Sequence, residues 1–411
     1  MSNLDERDLL AHELHRRARE VGGHPIDLDA VKGSARRIRR TRRVVAGAVA
    51  AVVLAVAVPA GVSLSHELSS SAPQPVAPRP SESSTVTDKA EPRPDGPVEL
   101  TTTGLPRGAD PQVPYVQVQE GRLVTPDGAV DLRTAYWQVL PYAGGWIAAD
   151  STGRIDMLDA DGTVRNSVPA VNGAVTLALS SDGSRVGYAE KNGPGSITLV
   201  SAPTDGSDPV TWQVTVGKFE EVRPVGYVDD EALVWMNPLG ETPEVSVARP
   251  GQEMTPLQGF LRVTGASSTS GLVSGLVSYG AQSCWGVMDP AASTTELAWR
   301  TCDWSLGEFS PDGRYVIAGD PGDDGLGDPR LAILDARTGE VVVDYQQDRD
   351  GRVVLPQVVW EDDDTVLALA VDGKGRYVML RADTAGNLER ASEPVPGGMN
   401  YPMWFSTAPH N

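Results

Sequence analysis

The chain has 411 residues, of which 55 are Asp or Glu and 35 are Lys or Arg, and its formal net charge is −20. This excess of acid argues against nucleic acid as a partner, because a phosphate backbone is bound by clustered positive charge. The 43 Gly and 32 Pro argue against a long helical bundle, and two Cys are too few for a fold held by a disulfide framework.

Residues 1–43 form a basic segment with 11 basic and 7 acidic side chains. Apolar residues at helical spacing predict two short amphipathic helices, one including Leu10 and Leu14 and the other including Leu28 and Val31. Neither helix can bury its apolar stripe alone. We therefore expect the two to pack against each other, the membrane surface or a partner protein.

Residues 44–64 are 21 residues without a charge, enough to cross ~30 Å of hydrocarbon as a helix. An arginine run precedes this stretch at residues 36–43, whereas residues 65–105 contain only three basic side chains. The positive-inside rule then predicts a single-pass protein of the cell membrane with a cytoplasmic N-terminus and an extracytoplasmic C-terminal domain. A cleaved signal peptide and a twin-arginine signal at 41–43 are the alternatives.

Residues 65–105 contain seven Pro and twelve Ser or Thr among few apolar side chains. Such a segment buries too little apolar surface to offset its ordering entropy, and Pro makes it extended. We predict a linker that holds the following domain away from the membrane.

Residues 106–411 contain one pattern repeated six times, with short β-rich runs separated by Gly, Pro and Asp turns. Such hairpin units, arranged in a ring, form the blades of a β-propeller. The second run of each unit lies at Gly145–Asp150, Arg185–Glu190, Ala232–Asn237, Gly271–Gly280, Arg314–Asp320 and Thr365–Val371.

The two ends of this region together supply a seventh unit. Tyr115–Gln119, Arg122–Thr125 and Ala129–Arg133 resemble a second, third and fourth strand, and Tyr401–Ser406 resembles the missing first strand. Pairing them would close the ring and leave no open sheet edge. Seven blades of about 42 residues need ~294 residues, and the region has 306. We predict an all-β, seven-bladed propeller with four-stranded antiparallel blades over 106–411.

The segment Phe309–Tyr315 (FSPDGRY) resembles the strand–turn–strand signature of the WD40-like, TolB-like propeller repeat. Ser180–Arg185 is a weaker copy, and Val228–Glu231 and Glu361–Asp364 are degenerate ones. The resemblance implies the propeller architecture over roughly 300 residues. It says little about activity, because this fold hosts binding scaffolds, enzymes and transport accessories.

Histidine is absent between Glu67 and Pro409, which excludes a Ser-His-Asp triad or a His-ligated metal on the blades. No G-x-S-x-G motif is present either. We therefore predict that the protein is not an enzyme and has no catalytic residue or cofactor, the alternative being a hydrolase or lyase that works without His. The five histidines are His12, His15, His24, His66 and His410.

Acidic residues cluster in the predicted turns. A cation-binding patch is one interpretation of Asp320, Asp323, Asp324 and Asp328, in a loop between second and third strands, together with Asp348 and Asp350 in the next connection. Because Asp and Gly are ordinary turn residues, a solvated loop without metal is the favoured interpretation. Asp182, Asp229, Asp312 and Asp362 lie in predicted turns on the opposite face of the propeller. Their presence is explained by the geometry of tight turns, which favours Asp.

Cys284 and Cys302 lie 18 positions apart, one in a third strand and one just before the next blade. Outside the cytoplasm such a pair usually forms a disulfide, and two buried thiols are the alternative. Tryptophans in strand positions predict blade packing rather than a ligand platform; they are Trp146, Trp212, Trp235, Trp285, Trp299 and Trp360.

The tail resembles the N-termini of bacterial single-pass proteins that accompany extracytoplasmic-function sigma factors, through Glu13–Arg17, Ile26–Val31 and the arginine run. Their zinc-binding signature needs His-x3-Cys-x2-Cys, and the tail has no Cys, so His12 and His15 are interpreted as surface residues. Our leading hypothesis is a membrane-anchored, extracytoplasmic propeller that binds a protein, a cell-wall component or a small ligand. The alternative is an anti-sigma-factor-like transmembrane regulator with the propeller as sensor and a sigma factor at the tail.

Overall fold

The computed structural model describes residues 94 and 96–407, except 151–153, 170–175, 194, 218–220, 238–243, 281, 323–326, 348–352 and 398–400. The predicted tail and anchor, and all but the end of the predicted linker, lie outside the described residues. So do Asp323, Asp324, Asp348 and Asp350. Within the described part of the chain, no helix has the length and hydropathy that a membrane crossing requires.

Across the described residues, thirty short strands form seven sheets, which confirms the predicted all-β, seven-bladed propeller. Strand β1 (Val98–Leu100) precedes the blades. Blade 1 contains β2 (Tyr115–Gln117), β3 (Arg122–Thr125) and β4 (Gly128–Asp131). Blade 2 contains β5 (Tyr136–Tyr142), β6 (Gly145–Asp150), β7 (Arg154–Leu158) and β8 (Val164–Pro169). Blade 3 contains β9 (Ala178–Leu179), β10 (Arg185–Lys191), β11 (Ser196–Pro203) and β12 (Val210–Thr215).

Blade 4 contains β13 (Arg223–Tyr227), β14 (Leu233–Asn237), β15 (Glu244–Ala248) and β16 (Thr255–Pro256). Blade 5 contains β17 (Arg262–Ala266), β18 (Val273–Ser278), β19 (Cys284–Met288) and β20 (Trp299–Thr301). Blade 6 contains β21 (Ser305–Phe309), β22 (Tyr315–Gly319), β23 (Arg330–Asp335) and β24 (Val341–Gln347). Blade 7 contains β25 (Val354–Trp360), β26 (Thr365–Val371), β27 (Arg376–Asp383), β28 (Leu388–Arg390) and the short β29 (Val395–Pro396). The last strand is β30 (Met403–Phe405).

The ring closes as the sequence predicts. Strand β30 is the first strand of blade 1 and pairs antiparallel with β2, with Phe405 opposite Tyr115 and Trp404 opposite Val116. Phe405 is fully buried, and the Trp404 indole donates a hydrogen bond of 3.1 Å to the Tyr136 carbonyl of blade 2. The chain terminus therefore joins both its own blade and the next one.

Strand β1 extends blade 6 by pairing in parallel with β24 on the outer edge. It lies inside the segment whose composition predicts a linker. Leu100 is 2% exposed and packs into the core between blades 6 and 7, and Val98 and Leu105 pack against the same core. A few apolar side chains therefore order the end of a Pro- and Ser-rich stretch. This outer strand also covers an edge that would otherwise be open.

The TolB-like turn has the same hydrogen bonds in blades 3 and 6. Ser180 and Ser310 each donate their hydroxyl to an Asp two positions later, at 2.6 and 2.7 Å. That carboxylate, of Asp182 or Asp312, also accepts the backbone N–H two positions further on, at 3.0 Å in both turns. A Gly with φ near +70° follows each Asp, where a side chain would be strained. These hydrogen bonds lower the pKa of Asp182, chiefly through the Ser180 hydroxyl.

Tryptophans pack between blades, as predicted from their strand positions. Trp235 is 1% exposed, and the other five pack in or against the core clusters between sheets. Trp212 and Trp299, on outer strands, donate their indole N–H to backbone carbonyls of the following blade, at 3.2 and 2.9 Å. The predicted disulfide is also confirmed, since Cys284 and Cys302 are bonded within blade 5, next to the ladder pair Trp285 and Thr301.

Replacing Trp404 with Ala should lower the free energy of unfolding by about 3–5 kcal/mol, because it leaves a cavity at the closure and an unpaired carbonyl at Tyr136. Urea titration followed by circular dichroism measures the change. Tyr279→Ala is the control: that side chain is 72% exposed, so its removal should change stability by no more than about 0.5 kcal/mol. Equal effects of the two substitutions would contradict a stabilising role for the closure.

Candidate functional site

A cavity of about 320 Å³ lies in the central channel. Its walls are the innermost strands β13, β17, β21 and β25, the residues around β9, and the segments that flank β2 and β30. Most lining side chains are apolar, including Leu179, Val225, Phe309 and Trp360. Eight polar or charged side chains also line it, among them Ser180, Thr264 and Glu308. A concave site of this size that combines apolar walls with polar groups is typical of a small-molecule site.

The innermost strands are joined to one another by polar side chains that bond to the neighbouring backbone. These bonds measure 2.7–3.0 Å. These hydrogen bonds pair backbone groups of the innermost strands that have no partner in their own sheet. Such backbone groups would be costly to bury unpaired. The pairs are Gln138 with Leu177, Thr176 with Pro224, Thr264 with Leu306, and Gln357 with Phe405.

Glu308, on β21, lines the cavity, and its backbone is held from both sides. On one side the Trp360 indole of blade 7 donates a hydrogen bond of 3.1 Å to the Glu308 carbonyl. On the other side Gly265 of blade 5 lies so close that a Cβ there would meet the Glu308 Cα at 3.1 Å and the Gly307 carbonyl at 2.5 Å. Glycine at 265 therefore lets the two innermost strands approach each other.

Among the described residues, no hydrogen-bonding group or cation contacts the Glu308 carboxylate. Glu308 is half-buried in the cavity wall, and the resulting partial desolvation raises the pKa of Glu308 to about 7. A carboxyl group that titrates near neutrality inside a cavity is a candidate functional group. Sequence reasoning missed Glu308, although it immediately precedes the FSPDGRY motif on a predicted first strand.

Arg223 is the other charged residue of the cavity wall among those described, and it is already paired. Its Nε lies 2.9 Å from Oε1 of Glu221, whose residue is 2% exposed. Burial lowers the pKa of Arg262, and the nearby Arg223 adds to this effect. Arg223 and Arg262 begin β13 and β17, whereas Glu308 lies near the end of β21. Because innermost strands run in the same direction along a propeller channel, the arginines and Glu308 lie toward opposite ends.

The end of the channel nearer Glu308 is acidic. We call it the first-turn face, because it carries the turns between the first and second strands, including the cavity residues Ser181 and Pro311. Arg249 pairs with Asp229 and Arg314 with Asp312 and Asp364, which leaves carboxylates in excess. The carboxylates of these turns belong to Asp182, Asp229, Asp230, Glu231, Asp312, Asp362, Asp363 and Asp364.

The predicted cation patch lies at the opposite face, in the loop between β22 and β23. Asp328 accepts backbone N–H groups from Asp320 and Arg330, at 2.8–2.9 Å, and Asp320 accepts one from Gly322 at 2.8 Å. Both carboxylates thus shape the loop. In the described part of the chain, no group of three or more His, Cys, Asp or Glu could hold a metal ion. The patch stays a prediction, since Asp323 and Asp324 lie outside that part.

No family model matches the chain, and no curated protein matches it in sequence. Similar solved structures include a TolB of Acinetobacter baumannii, at 14% identity and a TM-score of 0.37, over 72% of this chain and 67% of TolB. A variant of the Synechocystis apocarotenoid oxygenase shares 14% identity at a TM-score of 0.43, over 66% of this chain and 75% of the oxygenase. The dihydro-heme d1 dehydrogenase NirN shares 14% identity at a TM-score of 0.42, over 76% of this chain and 79% of NirN.

These comparisons correct one prediction. The absence of histidine from the ring predicted that the chain is not an enzyme, and enzymes stand among the propeller structures similar to it. The prediction that the chain is not an enzyme is therefore wrong, because this architecture does not exclude catalysis. A propeller ring is compatible with catalysis as well as with binding, and the site decides between them.

Glu308→Gln should change how stability depends on pH. The raised pKa means that the unfolded chain ionises Glu308 near its ordinary value of 4.5, whereas the folded chain does so near 7. The native protein should therefore lose stability as the pH rises from about 4.5 to about 7, by about 2 kcal/mol, and the variant should lack this loss. Urea titrations of both proteins across this range measure it. Parallel pH profiles would contradict a desolvated carboxyl at 308.

Proposed function

We propose that the chain is a binding protein whose central channel takes up a small organic ligand. The observation that supports this proposal is the cavity of about 320 Å³, whose wall combines apolar and polar side chains and has a single unpaired charged side chain, Glu308, among its described lining residues. Apolar side chains provide affinity by releasing water, and polar groups in the wall provide orientation and specificity. The rigid ring preorganises the site, which lowers the entropic cost of binding.

The proposal also includes the membrane. The uncharged stretch 44–64 and the arginine run before it support a single-pass anchor with the ring on the extracytoplasmic side. The Pro- and Ser-rich composition of the residues between 65 and the start of β1 at Val98 supports an extended connection between anchor and ring.

A cavity-filling substitution tests the proposed site. Val225 lines the cavity and is half-buried, so Val225→Phe should occupy the space and weaken fragment binding by about tenfold or more. Ligand-observed NMR with a set of small aromatic amines and alcohols measures binding to the full-length chain.

Val164→Phe is the matched control, because Val164 is 38% exposed on the outer strand β8. It should leave fragment binding unchanged. If no fragment binds, or if both variants bind the fragments as the native protein does, the cavity is not the binding site.

A second candidate function places the partner at the tail. The helical patterns of residues 1–43, with their similarity to proteins that accompany sigma factors, favour a regulator whose tail holds a cytoplasmic protein. Co-purification from mild-detergent membranes compares the native chain with one whose residues 1–43 are replaced by a neutral leader. A sigma factor retained only by the native chain would support the regulator; recovery of the same partners by both would make the tail an anchor alone.

A further inference from the structure

We propose that the ligand of the channel is an organic ammonium ion, with its charge at the Glu308 carboxylate and its hydrocarbon part against the apolar wall. This inference rests on the proposed function, since it names the chemical class that the same cavity would take.

The first argument is charge balance within the cavity. Arg223 is neutralised by Glu221 at 2.9 Å, whereas no cation contacts Glu308 among the described residues. A half-buried carboxylate without a partner loses part of its hydration at a cost, and the raised pKa of Glu308 reflects this cost. A bound ammonium group would supply the missing donor and counter-charge, and charge-assisted hydrogen bonds are the stronger kind.

The second argument concerns which cations fit. Ca²⁺ takes six to eight oxygen ligands and Mg²⁺ about six, often from several carboxylates. The described cavity wall offers a single carboxylate, and its other side-chain oxygens belong to neutral Ser, Thr and Gln residues. No described cluster of His, Cys, Asp or Glu could hold a metal ion. An ammonium ion needs only a few acceptors and carries its own apolar body. Among cations, an organic amine therefore fits this wall better than a metal ion does.

The third argument is the electrostatic field of the first-turn face, at the end of the channel nearer Glu308. The ring region has 42 acidic and 21 basic side chains, and the first-turn face concentrates carboxylates near the Glu308 end of the channel. Clefts of one charge sign raise the local concentration of oppositely charged ligands and their association rate. The first-turn face would thus attract a cation and disfavour an anion.

Benzylamine and benzyl alcohol are the probes, because they share an aromatic body and differ in charge. We expect the full-length chain at about pH 8 to bind benzylamine about tenfold more tightly than benzyl alcohol in ligand-observed NMR titrations. Glu308→Gln should weaken benzylamine about tenfold and leave benzyl alcohol nearly unchanged. Glu296→Gln removes an exposed carboxylate of blade 5 and should affect neither probe.

The outcomes separate the two proposals. If both probes bind equally and Glu308→Gln changes neither affinity, while Val225→Phe abolishes both, the cavity is a binding site but the ammonium proposal is overturned. If benzylamine binding falls equally in Glu308→Gln and Glu296→Gln, the effect is one of overall charge, and the proposal fails. If neither probe binds the native chain, the channel is not a site for such ligands and both proposals fail.

Discussion

Closure of the ring by β30 and β2 is the constraint on which the rest of the structure depends. Each innermost strand of a propeller has one partner in its own blade, so its other side must be satisfied by the neighbouring blades. Here side chains such as Gln138 and Thr264 bond to the backbone of the next innermost strand, and Val139 donates its N–H to the Ser406 carbonyl at 3.0 Å. These contacts can form around the whole circle only if the last strand joins the first.

The same lateral contacts determine what the channel presents. Gly265 permits close approach of blades 5 and 6, and the Trp360 indole holds the Glu308 carbonyl from blade 7. Three blades therefore set the position of one carboxyl group in a mostly apolar wall. Two buried carboxylates elsewhere in the ring do have partners: Glu221 is paired with Arg223, and Asp156 accepts a hydrogen bond from the Tyr136 hydroxyl at 2.7 Å. Glu308 differs from these two in having no counter-charge among the described residues, and a desolvated carboxyl group in a cavity is a candidate functional group.

The two ends of the channel differ because the turns that form them differ. The first-turn face is built from short Asp-containing turns whose hydrogen bonds are nearly identical in blades 3 and 6. Their carboxylates shape the turns and also make that entrance acidic, so one set of residues serves folding and electrostatics together. At the other face Asp328 bonds to backbone N–H groups and joins its loop to the start of β25.

The architecture could be predicted from the amino-acid pattern alone: the repeat spacing, the Asp-Gly turns and the complementary ends predicted seven blades, the closure and the disulfide partner of Cys284. These features are local or periodic, because each blade repeats one hairpin pattern and each strand alternates its faces. Strand β1 escaped prediction, since its order comes from Leu100 packing on a distant blade rather than from its own composition. Glu308 was not predicted as a site residue either, because its role also depends on contacts with distant parts of the chain. Only the tertiary structure brings Gly265, Trp360 and the apolar walls around this one acid, because its neighbours come from blades more than forty residues away along the chain.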